Sequence, residues 1–261
     1  MQLTRHKGLP PKALRPEEPP RKRGRESGGL ELRADHPALE EGRSIFQNSV
    51  VHASMSDRLL ISGMNQRKIG KEITKGAWAG IPIYTITLEE RATCPKTCKV
   101  WSSCYGNNMH LARRHILDSA YIRKLGLELE AAALRHPEGF AVRPHILGDF
   151  GSPDLEGLAL EYVESWMGWL EDFDGLRIWG YTAHEFGTPI GNAIMQLNLA
   201  FPLRCRIRYS GSDVGGIGSL VIDTPEDSEH VICPAQTNQT DCCGTCGLCW
   251  TMNRPVEFLR H

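Results

Sequence analysis

Eight of the nine cysteines fall in two short runs separated by most of the chain. The first holds Cys94, Cys98 and Cys104, spaced C-x3-C-x5-C within Thr93-Cys94-Pro95-Lys96-Thr97-Cys98 and Ser103-Cys104-Tyr105-Gly106. The second holds Cys233, Cys242, Cys243, Cys246 and Cys249, and only Cys205 stands apart. Thiolates this close together on glycine- and proline-bearing loops can reach one centre without strain, which is the requirement of a zinc or iron–sulfur site. Any fold adopted by this chain has to present those loops so that their sulfurs converge.

No apolar run approaches the ~20 residues needed to span a bilayer, and the N-terminus has no apolar stretch of signal-peptide type. Thiols in a chain without an export signal point to the reducing cytoplasm, and to metal in preference to disulfides. The formal net charge is −1 but unevenly spread: residues 1–26 carry eight Lys and Arg (Arg5, Lys7, Lys12, Arg15, Arg21, Lys22, Arg23, Arg25) against three glutamates. Prolines recur among these charges, and apolar periodicity begins only at Ile45, so residues 1–42 read as a disordered basic arm. The run Arg21-Lys22-Arg23-Gly24-Arg25 is a candidate nucleic-acid contact, with a solvated tail as the plain alternative. A second cationic turn, Arg67-Lys68 and Lys71, is read as a surface turn or a phosphate contact.

From residue 81 the pattern becomes regular. Residues 81–88 are β-branched and aromatic and lead into the first cysteine loop. A helix is expected over 110–135, with Ile116, Ala120, Ile122, Leu125, Leu129 and Ala133 on one face. A strand over 140–147 ends in Gly148-Asp149. Ser152-Pro153 then supplies an N-cap and a first-turn proline for a helix carrying Leu155, Ala159, Tyr162, Val163, Trp166 and Leu170. Strand 175–182, a helix after Thr188-Pro189 and strand 203–209 follow, then short strands at 220–222 and 230–232. Alternation of this kind implies right-handed βαβ units and a parallel sheet. Five or six strands fall short of the ~250 residues of a closed eight-fold barrel. The expected fold is therefore α/β, a partial (open) parallel β/α barrel over 43–232 with a cysteine-rich C-terminal segment over 233–261.

Ligands of such sheets sit at the carboxyl ends of the strands. Those ends are the first cysteine loop, Gly148-Asp149, Tyr181-Thr182-Ala183-His184, Ser210-Gly211-Ser212 and Cys233. Cys94, Cys98 and Cys104 offer three thiolates and leave a fourth position open, unless a cysteine of the second run fills it. Cys233, Cys243, Cys246 and Cys249 suffice to close a site of their own, with Cys242 a spare neighbour and Cys205 a small buried residue of a strand. Asp149 either faces the centre of the sheet or caps the next helix. His145 is read as a core histidine before a ligand, while Tyr181, Thr182 and His184 are candidate pocket residues.

As an ordered set, His145-Ile146-Leu147-Gly148-Asp149-Phe150, Gly180-Tyr181-Thr182, Arg208-Tyr209-Ser210, Cys233-Pro234-Ala235-Gln236 and Cys246-Gly247-Leu248-Cys249-Trp250 resemble the phage and plasmid gene product 88 family. That resemblance implies a mobile-element origin and, for a phage protein, the host cytoplasm. The layout is also similar to radical S-adenosylmethionine enzymes. There, three cysteines after the first strand hold a four-iron cluster, a glycine-rich acidic motif after the second strand binds the cofactor's amino group, and later strands bind its ribose. Carried over by position, Gly148 and Asp149 match the second-strand motif and Ser210 a ribose contact. The departure is the spacing, since the usual motif is C-x3-C-x2-C. The functional expectation is an iron–sulfur protein with one or two 4Fe-4S clusters and S-adenosylmethionine, acting on an unknown substrate. Its rival is a non-enzymatic zinc or iron–sulfur protein whose residues 1–26 dock nucleic acid.

Overall fold

The computed structural model describes residues 30–66 and 68–260. The basic run within 1–26, with the nucleic-acid contact expected of it, and Arg67 lie outside these residues. The described chain contains helices α1 (Pro37–Glu40), α2 (Ser119–Arg135), α3 (Glu156–Asp172), α4 (Pro189–Ala200), α5 (Cys243–Cys246) and α6 (Leu248–Thr251). Its strands are β1 (Val50–Val51), β2 (Ile61–Ser62), β3 (Ile83–Thr85), β4 (Arg114–His115), β5 (Phe140–Arg143), β6 (Leu176–Thr182), β7 (Cys205–Ser210), β8 (Gly218–Ile222), β9 (Val231–Ile232) and β10 (Val256–Leu259).

The fold is mixed α/β with a mostly parallel central sheet. Eight strands run in the order β2-β3-β5-β6-β7-β8-β10-β9. β2 pairs antiparallel with β3, and all other pairings in that sheet are parallel. A separate parallel pair joins β1 to β4. From β3 to β8 the order never reverses, so right-handed crossovers place the intervening helices on one face. The core shows the same division. Phe140, Val142, Leu176, Ile178, Ile207 and Tyr209 meet Leu125, Leu129, Tyr162, Trp166, Ile194 and Leu197 of α2, α3 and α4. The alternate residues Ile83, Ala141 and Trp179 face the opposite way, into a smaller cluster with Ile69, Ile73, Trp78, Cys249 and Trp250. Strand side chains alternate between faces, so this second face is covered by residues 69–81 and the C-terminal cysteine segment. Trp78 stacks on Trp250 at 5.3 Å between ring centroids, and Trp179 packs against Trp250 at 4.7 Å.

Several expectations need correction. Residues 30–42 are folded: α1 lies here, Leu32 and Ala38 are buried, and the Leu32 N–H donates to Ser102 O at 3.1 Å. Docking on the first cysteine loop supplies the burial that local composition lacks. The helix expected from 110 starts at Ser119, because Asp118 caps it by accepting from the Tyr121 N–H at 2.7 Å. Arg114 and His115 form β4 instead and are buried. The strand expected over 140–147 stops at Arg143, where Pro144 removes a donor and His145 takes a left-handed φ of 54°. β10 was not expected. It inserts between β8 and β9, so the cysteine-rich segment returns its last residues to the sheet. Among the described residues, no helix is long and apolar enough to cross a membrane.

Candidate metal centres

The first cysteine loop leaves the carboxyl end of β3 and is held by a buried polar network. Arg114, fully buried, donates to Glu90 Oε2 at 2.7 Å and to the carbonyls of Met109, Ala112 and Gly106 at 3.1, 2.7 and 3.0 Å. Glu90 also accepts from Ser44 Oγ at 2.8 Å, and Glu89 accepts from Arg43 Nε at 2.7 Å. Arg91, at a left-handed φ of 66°, donates to Trp101 O at 3.0 Å and to Asn107 Oδ1 at 2.6 Å. Asn107 in turn donates to Leu30 O at 2.6 Å and Ser102 O at 2.8 Å. Charges and amides buried this way are stable only when each finds a partner, and here the partners are the loop's own carbonyls. None of Glu89, Glu90, Asn107 and Arg114 stood out in the sequence, since isolated polar residues carry no spacing signal.

Within this frame the charges of Cys98, Cys104 and Asp149 act on Cys94, and those of Asp149 and Cys104 on Cys98. Burial pushes the Cys94 thiol well up, reinforced by the charges of Asp149, Cys104 and Cys98. Cys98 is pushed up to about 11, again mainly by burial. The Cys104 thiol is raised by burial too, while the Gly106 N–H and the Arg91 charge oppose the shift. The backbone N–H groups of Val100, Gly106 and Leu248 act in the opposite direction to burial, lowering the pKa of Cys98, Cys104 and Cys246 respectively.

Asp149 sits in the loop that follows β5, and Gly148 before it must be glycine. Its φ is 82°, and a Cβ there would stand 2.6 Å from Thr93 Oγ1 and 2.7 Å from Leu88 Cβ. The Asp149 carboxylate does not cap α3; it accepts from the Phe150 N–H at 2.8 Å and the Ala183 N–H at 2.6 Å, bridging the ends of β5 and β6. Burial raises its pKa, opposed by His184 and these backbone donors. Thr182 and His184 brace this corner: the His184 N–H donates to Thr182 Oγ1 at 3.0 Å, and His184 Nε2 lies 2.8 Å from Gly151 O. His145 is buried with Nε2 3.1 Å from Tyr162 Oη, and among the described residues its Nδ1 has no partner. Ser210 is the exposed last residue of β7, beside Gly211, whose carbonyl accepts from Lys99 Nζ of the cysteine loop at 2.9 Å. The strand-end residues thus fall into a buried corner around Asp149 and an exposed edge at Ser210.

The second run lies on the opposite face of the sheet from the long helices. Cys233, Cys243, Cys246 and Cys249 line one small cavity with Pro234, Leu248, Trp250 and Val256. The segment is tied down by backbone bonds, including Cys243 N–H to Lys68 O at 2.8 Å and Gly244 N–H to Ile69 O at 2.9 Å. A side chain at Gly244 would stand 2.1 Å from Glu72 O, so only glycine permits this approach. Cys242 turns away from the cavity, its sulfur lying where a Cβ of Gly70 would be, and Cys205 is buried in β7. The fully buried Arg208 clamps the segment, donating to Cys249 O at 2.8 Å, Met252 O at 2.7 Å and Arg254 O at 2.9 Å. Tyr181 Oη lies 2.9 Å from Cys249 Sγ. Burial, then the Cys249 charge, hold that phenol well above its usual range.

Two sets of soft sulfur donors on separate loops suit zinc or an iron–sulfur cluster and do not suit hard cations. Among the described residues, no three Cys, His, Asp or Glu side chains are gathered tightly enough to hold a metal ion as they stand. The chain matches no protein-family profile, no curated protein and no solved structure.

Proposed function

We propose that this is an iron–sulfur protein of the radical S-adenosylmethionine type, with Cys94, Cys98 and Cys104 as ligands of an open four-iron cluster. The observation that carries the reading is that the loops after the adjacent strands β3 and β5 meet, the Asp149 N–H donating to Thr93 Oγ1 beside Cys94 at 3.1 Å, with the Asp149 charge acting on Cys94 and Cys98. An unreversed strand order with α2, α3 and α4 on one face is the arrangement of an open β/α barrel, which supports the same reading. A cluster and S-adenosylmethionine held there supply one-electron cleavage of the cofactor and hydrogen abstraction from a substrate. Gly148 lets the backbone pass close to the loop, Asp149 would supply negative charge beside the open position, and Ser210, exposed at the end of β7, would contact a ribose hydroxyl. The buried frame of Glu90, Arg114 and Asn107 fixes the loop and excludes water from its base. Cys233, Cys243, Cys246 and Cys249 are the ligands of a second, closed centre.

Anaerobic reconstitution followed by dithionite and S-adenosylmethionine tests this. The expected result is a brown, iron- and sulfide-containing protein that releases 5′-deoxyadenosine, an activity abolished in Cys98→Ser. A protein that takes up no iron, or that holds a cluster and leaves S-adenosylmethionine intact, contradicts it.

A further inference from the structure

The layer of long helices carries a groove for which neither cysteine group accounts. It lies between α2 and α3, has a volume of about 730 Å³, and is lined by Gly126, Leu127 and Glu130 of α2 and by Gly168, Trp169 and Asp172 of α3. Glycine inside a helix weakens it, and here one glycine from each helix makes the space. A Cβ at Gly126 would stand 3.0 Å from Trp169 Nε1, and one at Gly168 would meet nothing within 4 Å. Trp169 is half-buried, and Leu127 on the lip of the groove is 67% exposed.

Charge says what could cover this surface. α3 carries Glu156, Glu161, Glu164, Glu171 and Asp172 and neither lysine nor arginine. These five are exposed, as is Glu130, and among the described residues none of the six makes an ion pair. Like charges three residues apart, such as Glu161 and Glu164, destabilise a helix, and a cationic partner relieves them. Residues 10–25, outside the described chain, hold five prolines and six Lys or Arg against two glutamates. Proline-rich segments dock in aromatic-lined grooves at low entropic cost.

The arm also starts at the right end of the molecule. Leu30 O accepts from Asn107 Nδ2 at 2.6 Å, and Gly106 O accepts from Arg114 at 3.0 Å, four residues before the Asp118 cap of α2. α2 is 17 residues long, or about 25 Å. Residues 16–21 precede Leu30 by nine to fourteen positions, a reach of about 28–43 Å when extended. The whole groove is within that span.

We propose that the groove between α2 and α3 is the docking site of this chain's own residues 10–25. Pro16 and Pro19 pack against Trp169, and the cations of residues 21–25 follow the carboxylates of α3. The contact is independent of the metal reading.

In the test, p-benzoylphenylalanine takes the place of Leu127 in the full chain, which is irradiated at low and at high salt. Cross-linked peptides are identified by mass spectrometry. The expected product joins position 127 to residues 10–25 of the same chain. Its yield should fall at least about fivefold at high salt, which screens exposed charges, and similarly in Glu164→Lys/Glu171→Lys/Asp172→Lys. If that variant does not fold, Arg21→Glu/Lys22→Glu/Arg23→Glu on the arm carries the same test. A product joining two chains assigns the groove to a second copy and overturns the proposal. Absence of any product within residues 1–29 overturns it too, as does a yield indifferent to salt and to charge reversal.

Discussion

The two cysteine loops are anchored by the same device and differ in what surrounds it. Each is clamped by one fully buried arginine, Arg114 or Arg208, that donates to the loop's own carbonyls. Arg114 is neutralised by Glu90, and the charge of a carboxylate, Asp149, acts on Cys94 and Cys98 of the first loop. Among the described residues Arg208 makes no ion pair, the charge of Asp213 acting on it without direct contact, and the charges of Arg208 and Arg143 act on Cys249 and Cys243 of the second loop. The first loop is thus held in charge balance at the strand ends, beside the exposed Ser210. The second is packed against the apolar face of the sheet through Cys249 and Trp250. Under the proposed reading, that contrast would separate a site open to a small molecule from a site closed around a metal.

The largest effect expected from breaking this contrast is on the clamps. Arg114→Met strands Glu90 as a buried, unpaired carboxylate and should cost about 3–5 kcal/mol. Arg208→Met removes a charge and leaves only carbonyls, so about 1–3 kcal/mol is expected. Urea denaturation of both variants checks the order, and pairing Arg114→Met with Glu90→Gln should recover part of the larger loss. Equal costs would mean that Glu90 does not distinguish the two regions.

Gly148→Ala probes the corner that carries Asp149. A left-handed φ and the 2.6 Å approach to Thr93 Oγ1 predict a loss of about 2–3 kcal/mol. The same variant should lose S-adenosylmethionine binding, while iron at the second site stays unchanged.

A smaller effect concerns pH. Burial, then the charges of Arg143 and His184, press the His145 pKa well below its ordinary value. The unfolded chain therefore binds the extra proton, and this contribution is complete above the unfolded value of about 6.5 and is lost as pH falls below it. By pH 5.5 the loss should reach about 1.4 kcal/mol, or about 3–5 °C in Tm. His145→Asn tolerates the left-handed backbone and removes the titration, so it should flatten Tm against pH over this range. An unchanged slope would assign the acid sensitivity elsewhere.

Much of the fold could be read from local pattern. α4 follows from Thr188-Pro189 and its apolar stripe, and β5, β6 and β7 from their β-branched and aromatic runs, because caps and periodicity are local signals. For α3 the stripe from Ala159 to Leu170 holds, but Ser152-Pro153 caps a short 3-10 turn ahead of the helix, which starts at Glu156 and leaves Leu155 exposed. What escaped was held together at long range. β10 is four residues with a buried glutamate, and it is a strand because β8 and β9 flank it. Residues 30–42 fold only against the Ser102–Asn107 region, far along the chain. The division of the cysteines into two groups was legible from spacing, and in space Cys233 does join Cys243, Cys246 and Cys249 around one cavity. Tyr181 was visible as a pocket residue, but its contact with Cys249 depends on the C-terminal segment crossing the sheet. Arg208 and Arg114 gave no signal, since a buried charge looks like a surface one until its partners are known.

The central claim is that the two cysteine groups are separate and unequal centres. Iron, sulfide and zinc content, measured on protein purified without oxygen, tests it most directly when wild type is compared with the Cys94→Ala/Cys98→Ala/Cys104→Ala and Cys243→Ala/Cys246→Ala/Cys249→Ala variants. Two centres predict that the first variant loses about four iron atoms per chain and keeps the remainder. They also predict that the second variant keeps the iron of the first loop. Loss of all metal from both folded variants would mean one shared site, and zinc alone in wild type would contradict the iron–sulfur account altogether.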